Sequence, residues 1–164
     1  MASARPEERH FKAVLSMTRS DDSSPVFFKV DGERFKESRT LKLQVDTSYN
    51  VGLEFRPPMI LSDATISGSS IKPEIKKNDH SCTRYDCTLS THGMSSSKSK
   101  DRSYMVLCLK FADQHEMTIQ IQTKLYSQKD KNHVMWGSCL KSLDFECKMK
   151  DGQNFVDVQK INFR

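Results

Sequence analysis

Apolar and polar residues alternate with a period of two along most of this chain, and that period admits extended strands while excluding helices as the main building unit. The clearest run sets Met117, Ile119, Ile121, Thr123 and Leu125 against Thr118, Gln120, Gln122 and Lys124. Phe11, Ala13, Leu15 and Met17 share one face of a first strand, and Leu41, Leu43 and Val45 alternate with Thr40, Lys42 and Gln44. Val51, Leu53 and Phe55 alternate with Glu54 and Arg56, and Met105, Leu107, Leu109 and Phe111 repeat the pattern. Leu143, Phe145 and Cys147, with Phe155 and Val158, predict two more strands near the end. No segment sustains a period of 3.6. Turn chemistry separates the runs at Ser23-Ser24-Pro25, Asp31-Gly32, Arg56-Pro57-Pro58, Ser67-Gly68-Ser69 and Asp151-Gly152. Roughly nine or ten short strands at this spacing predict an all-β fold, an antiparallel β-sandwich or flattened barrel.

A length of 164 residues suits one domain spanning 1–164. Nine Phe, four Tyr and one Trp supply bulky core candidates, so the chain reads as folded although 29% of it is charged. The net charge of +5 permits attraction to an acidic peptide or an anionic membrane face. It falls short of the dense basic stripe of a nucleic-acid binder, and no aromatic-plus-basic strand of the RNA-binding type occurs. No apolar run approaches the ~20 residues that cross a bilayer, and Met1 to Arg9 lack the apolar core of a secretory signal. A cytoplasmic protein is therefore expected. With no lipidation motif at either end, contact with the inner face of the plasma membrane is expected only through partners. Five cysteines without framework spacing fit reduced thiols.

Reaction motifs are missing: there is no His-Glu-X-X-His, Gly-X-Ser-X-Gly, phosphate-cradling loop or dinucleotide fingerprint. The chain reads as a non-enzyme without metal or cofactor. Cys82 and Cys87 stand an odd number of positions apart, which on a strand points them to opposite faces. Cys139 and Cys147 share a face but would lie about 26 Å apart on one continuous strand. His10, His80, His92, His115 and His133 occupy polar, turn-like contexts, where exposed imidazoles are expected. The run Ser95 to Ser103 is basic and too hydrophilic to pack, so a mobile loop is expected near 90–103, with serines open to phosphorylation. Ser127 to His133 is a second polar loop, and it leads into Trp136-Gly137. Trp136 reads as a core or corner anchor, or else as the rim of a recognition groove.

Pro25 to Phe35 reads as two short strands reversed at Asp31-Gly32 by a type I′ turn, whose φ > 0 positions suit that dipeptide. The string Pro-Val-Phe-Phe-Lys-Val-Asp-Gly-Glu-Arg-Phe, followed by Arg39-Thr40-Leu41-Lys42-Leu43 and Ser48-Tyr49-Asn50-Val51, resembles the cannabinoid receptor-interacting protein 1 family. Thr65-Ile66-Ser67-Gly68, Thr91-His92-Gly93, His133 to Ser138 and Phe145-Glu146-Cys147-Lys148 continue the resemblance in the family's order, while residues 72–104 depart from it, as in a diverged member. The resemblance implies an immunoglobulin-like sandwich related to the Rho guanine-nucleotide dissociation inhibitors. It also implies a non-catalytic adaptor for the cytoplasmic carboxyl-terminal tail of a G-protein-coupled receptor, modulating its signalling or surface level. On that reading the candidate partner-binding residues are Phe28, Arg34, Arg39, Lys131, His133 and Trp136. The other reading is a soluble chaperone for acylated or prenylated clients such as lipidated small GTPases, with Leu41, Leu43, Leu107, Leu109, Ile119 and Ile121 lining a lipid cavity. The same six residues could fill an ordinary close-packed core, which is the favoured expectation.

Overall fold

Two sheets face each other across a shared hydrophobic core in the computed structural model of the chain, which describes residues 8–31, 37–98 and 101–164. In chain order the strands are β1 (Glu8–Arg19), β2 (Phe27–Val30), β3 (Arg39–Gln44), β4 (Ser48–Arg56), β5 (Leu61–Ile66), β6 (Ser69–Ser70) and β7 (Glu74–Asn78). They continue with β8 (Thr83–Ser90), β9 (Ser103–Phe111), β10 (Glu116–Tyr126), β11 (Ser138–Cys139), β12 (Leu143–Lys150) and β13 (Asp157–Phe163). One sheet runs β13-β12-β1-β4-β8-β7 and the other β11-β2-β3-β10-β9-β5-β6. The all-β sandwich is thus as expected, with more strands than the alternation revealed. β6 and β11 have two residues each, and β7 is exposed throughout, so none of the three carries an apolar stripe. Pairing is antiparallel except for β3 and β10, which run parallel with Leu41 opposite Thr123 and Lys42 opposite Lys124.

Alternation becomes burial almost residue by residue. On β8, Thr83, Tyr85, Cys87 and Leu89 turn inward while Arg84, Asp86 and Thr88 stay out. Phe111 anchors an aromatic cluster, edge-on to Phe55 at 5.2 Å and to Phe11 at 5.9 Å between ring centroids. Such pairs add about 0.5–1.5 kcal/mol beyond the area they bury. Leu41, Leu43, Leu107, Leu109, Ile119 and Ile121 all lie in this core, none more than 3% exposed. A cavity touching Leu43 and Met94 has only ≈ 30 Å³, room for about one water molecule. These six residues pack as core; they line no space large enough for an acyl chain.

Several local expectations change. Val30 pairs with Arg39, and the Asp31 N–H donates to the Ser38 carbonyl, so β2 and β3 are joined across residues 31–38 rather than by a two-residue turn at Asp31-Gly32. Gly32, Glu33, Arg34, Phe35 and Lys36 lie outside the described residues. The reason for the wider connection is Asp31 itself. Its buried carboxylate accepts from the Thr40 hydroxyl and pairs with Arg102, contacts that a tight surface turn would not make. Of the loop expected near 90–103, residues 99 and 100 lie outside the described residues, and residues 91–98 are held to the rest of the fold at several points. Met94 packs on the core, the Ser97 N–H donates to the Leu125 carbonyl, and the Ser97 hydroxyl accepts from the Leu125 N–H. Cys82 precedes β8, so strand parity does not reach it, and it is buried as Cys87 is. Cys139 and Cys147 sit in different sheets. His115 is half-buried beside Asp113, 3.0 Å from its carboxylate, unlike the other four histidines, which are exposed.

Two predictions follow from this packing. Replacing Leu109 by Trp inserts bulk into a filled interior and should cost ~1–3 kcal/mol in denaturant unfolding; unchanged stability would reveal space between the sheets. All five cysteines are free, and burial pushes the Cys87 thiol up to about 11 and the Cys147 thiol up to about 12. Because only the thiolate reacts, iodoacetamide at pH 8 should label exposed Cys108 and Cys139 first and reach Cys82, Cys87 and Cys147 only on unfolding, as peptide mass mapping would record.

Candidate functional site

To reach the far side of β2, the chain leaving β10 must pass over β3 and β2, a step of three strand spacings or about 14 Å. Residues 127–137 make that crossing, and they explain why the polar residues Lys42 and Gln44 of β3 are buried along with the apolar ones, whereas Thr40 is enclosed by Asp31, Arg102 and Gln122. The Gln44 amide donates to the Gln128 and Asp130 carbonyls at 3.3 and 2.6 Å. Lys42 Nζ donates to the His133 carbonyl at 2.9 Å, which also receives the Trp136 N–H at 3.1 Å.

Inside the crossing, Asp130 organises a short 3-10 turn over His133–Met135. Its carboxylate accepts from the Asn132 N–H at 3.0 Å and the Val134 N–H at 3.4 Å and lies 3.2 Å from His133 Nδ1. Burial opposes ionisation of Asp130, but these hydrogen bonds outweigh it and hold its carboxyl below the usual range. Gly137 ends the segment at φ +118°, where a Cβ would stand 2.5 Å from the Phe28 carbonyl oxygen. Only glycine lets the backbone approach β2 this closely.

Between this crossing and the β1–β2 corner opens a cleft of ≈ 580 Å³. Lys42, Gln44 and Tyr49 form its floor, Gln128 to Met135 one wall, and Arg19 to Phe27 the other. Arg19 pairs with Asp21 at 2.8 Å, and Asp22 accepts from the Ser24 N–H and hydroxyl at 2.9 and 2.6 Å, which stiffens that corner. Burial lowers the pKa of Lys42, and the nearby charges of Lys29, Lys124 and Arg102 lower it further. Met135 and Trp136 remain 54% and 60% exposed beside the cleft, with Trp136 packed on the His133 ring at 4.4 Å.

Of the partner-binding candidates, Lys131, His133 and Trp136 come together on the crossing, and Lys131 lines the cleft. Trp136 is exposed and so lies outside the core. Phe28 faces inward against Phe163 at 5.1 Å between centroids, so it supports the site from below. Arg39 is exposed at the opposite end of β3, ~17 Å along the strand from Gln44. Arg34 lies outside the described residues. Lys42, Gln44, Tyr49 and Met135 were not singled out as site residues. The outward members of β3 look like any solvated strand face, and only the long polar run from Ser127 into Trp136-Gly137 signals that something covers them. Among the described residues, no group of three or more His, Cys, Asp or Glu side chains could hold a metal ion.

The family profile described as "CB1 cannabinoid receptor-interacting protein 1" matches residues 7–163. The chain is 30% identical to CB1 cannabinoid receptor-interacting protein 1 of Homo sapiens over 145 residues, covering 87% of this chain and 88% of the relative. The Bos taurus and Mus musculus proteins of that name match with the same identity and coverage, 30% over 145 residues.

Gly137→Ala should destabilise the protein by about 1–3 kcal/mol and loosen the 127–137 crossing, because both φ and the Phe28 carbonyl oppose a side chain there. Thermal unfolding and the emission maximum of the one tryptophan report the two effects separately.

Proposed function

The chain belongs to the CB1 cannabinoid receptor-interacting protein 1 family, and from that premise we propose that it is a non-catalytic adaptor for the cytoplasmic carboxyl-terminal tail of a cannabinoid-type G-protein-coupled receptor. In this role it modulates the receptor's signalling or its level at the surface, working in the cytoplasm and reaching the plasma membrane through the receptor. The observation that carries the reading is the family match across 7–163, since the relatives' name records an interaction with the CB1 receptor. The cleft beside 127–137 supports it physically. An extended peptide can lie in a groove of this size, and exposed Met135 and Trp136 offer apolar anchors of the kind that dominate interface energetics. Groove binding also fits better than strand addition at the edges of the β2–β3 sheet, where β11 and β6 present only two residues each. The chaperone reading draws no support from the interior, whose candidate cavity residues are packed together.

Isothermal titration with a peptide spanning the cytoplasmic tail of a cannabinoid receptor tests the proposal. Saturable binding, weakened about tenfold or more by Trp136→Ala, is the expected result. Absence of binding, together with failure to capture the receptor from membrane extracts, would overturn it.

A further inference from the structure

Cations gather on the outer face of the β2-β3-β10 sheet. Lys42 and Lys124 stand directly opposite each other across the β3–β10 pair, and both ammoniums lie over the Tyr126 ring, at 5.5 and 5.1 Å. Like charges at directly opposed positions destabilise a sheet. Lys29 and Arg102 both approach the single carboxylate of Asp31, at 3.6 and 3.5 Å. Lys42 has the neutral His133 carbonyl. Among the described residues, no carboxylate lies within 4.0 Å of the amines of Lys42, Lys129 or Lys131, and all three line the cleft. The acidic residues on the facing lip are already engaged: Asp21 with Arg19, and Asp22 with the Ser24 turn. Lys42, only 6% exposed yet lining an open cleft, keeps its ammonium there at a cost in repulsion and desolvation, an arrangement suited to an anion that arrives from outside.

We propose that this cleft binds an acidic, extended peptide segment, with the Lys42 ammonium holding one carboxylate at the floor and Lys129 and Lys131 facing further acidic positions along the wall. The inference rests on reading the chain as a peptide-binding adaptor and names the chemistry that its cleft selects. A peptide fits better than a lipid surface because Lys42 is recessed between two walls, where a flat bilayer cannot follow. It also sets a pattern. Successive side chains of an extended peptide point to opposite sides. Acidic residues at alternate positions therefore meet the lysine wall while the intervening ones meet the facing β1–β2 corner.

The test uses two short fluorescein-labelled peptides with free amino-acid patterning, one alternating glutamate and serine with a free carboxyl terminus, the other alternating glutamine and serine and amidated. Anisotropy should show the glutamate peptide binding at least about tenfold more tightly than its neutral counterpart, with affinity falling as salt rises. Amide shifts in a heteronuclear NMR titration should centre on Lys42, Gln44, Lys131 and Val134. Lys42→Met should reduce affinity about tenfold while leaving the amide spectrum folded, and Lys42→Arg, which keeps the charge, should retain most of the binding even if the methionine variant fails to fold. Equal binding of both peptides, shifts centred elsewhere, an unaffected Lys42→Met variant, or preference for phosphatidylserine vesicles over the glutamate peptide would each overturn the proposal. The receptor tail supplies a separate arm. If the tail binds as tightly after its carboxylates are neutralised, the adaptor reading stands and this inference fails. If the glutamate peptide binds through Lys42 and no receptor tail does, the inference stands and the receptor assignment fails.

Discussion

A strand in a two-layer protein can hide both faces only where another part of the chain passes over its outer side, and β3 is hidden in this way. Leu41 and Leu43 enter the core between the sheets, while Thr40, Lys42 and Gln44 are covered from outside. The arrangement follows from the strand directions: β11 is antiparallel to β2, β2 is antiparallel to β3 and β3 is parallel to β10, so β10 and β11 run parallel in one sheet. Strands that run parallel need a crossover connection, and the chain that leaves β10 must cross β3 and β2 before it can pair as β11. The cleft is the by-product of that crossing: one wall is the crossover, the floor is the strand beneath it, and the other wall is the β1–β2 corner.

Covering a strand with polar outward residues creates a satisfaction problem, because each buried donor or acceptor needs a partner. At one end of β3 the solution is a network around Asp31. The Thr40 hydroxyl donates to its carboxylate, Arg102 donates to Thr40 at 3.2 Å and approaches Asp31, and the Gln122 amide donates to Thr40 at 2.9 Å. Side chains from four parts of the chain meet there, with Asp31 fully buried and the Arg102 side chain only 7% exposed. A buried ion pair of this kind adds little net stability relative to apolar packing, yet losing one partner leaves an uncompensated charge. Its structural effect is to fix where the β2–β3 connection, the start of β9 and β10 meet. At the other end, Gln44 and Lys42 satisfy the carbonyls of the crossover. The polar residues of β3 therefore position the connection that hides them.

Much of the sandwich was legible because period-two alternation reports directly which face of a strand is buried. β1, β3, β4, β9, β10 and β12 could each be read from their apolar stripes. β6, β7 and β11 could not, since short or fully exposed strands carry no such stripe. The β2–β3 connection was misread for a different reason. Asp-Gly satisfies the local requirements of a tight turn, but local turn chemistry gives way when the Asp side chain gains buried partners from distant segments such as Thr40 and Arg102. The site was legible only at its rim. Lys131, His133 and Trp136 stand out as a basic and aromatic run, whereas Lys42 looks like an ordinary outward lysine until the crossing at 127–137 is in place.

That difference separates the two kinds of lysine on this molecule. Lys76 and Lys77 on β7 pair with Glu74 and Asp79 at 3.2 and 3.5 Å in full view of solvent, where such contacts contribute little and constrain little. Lys42 is buried and placed across from Lys124, and its hydrogen bond goes to a backbone carbonyl. Its other contact, the face of the Tyr126 ring at 5.5 Å, is shared with the ammonium of Lys124 at 5.1 Å. Residues that break the local rules of a fold in this way are where function is to be sought. Here the exception coincides with the floor of the cleft, under the crossover that the strand order makes unavoidable.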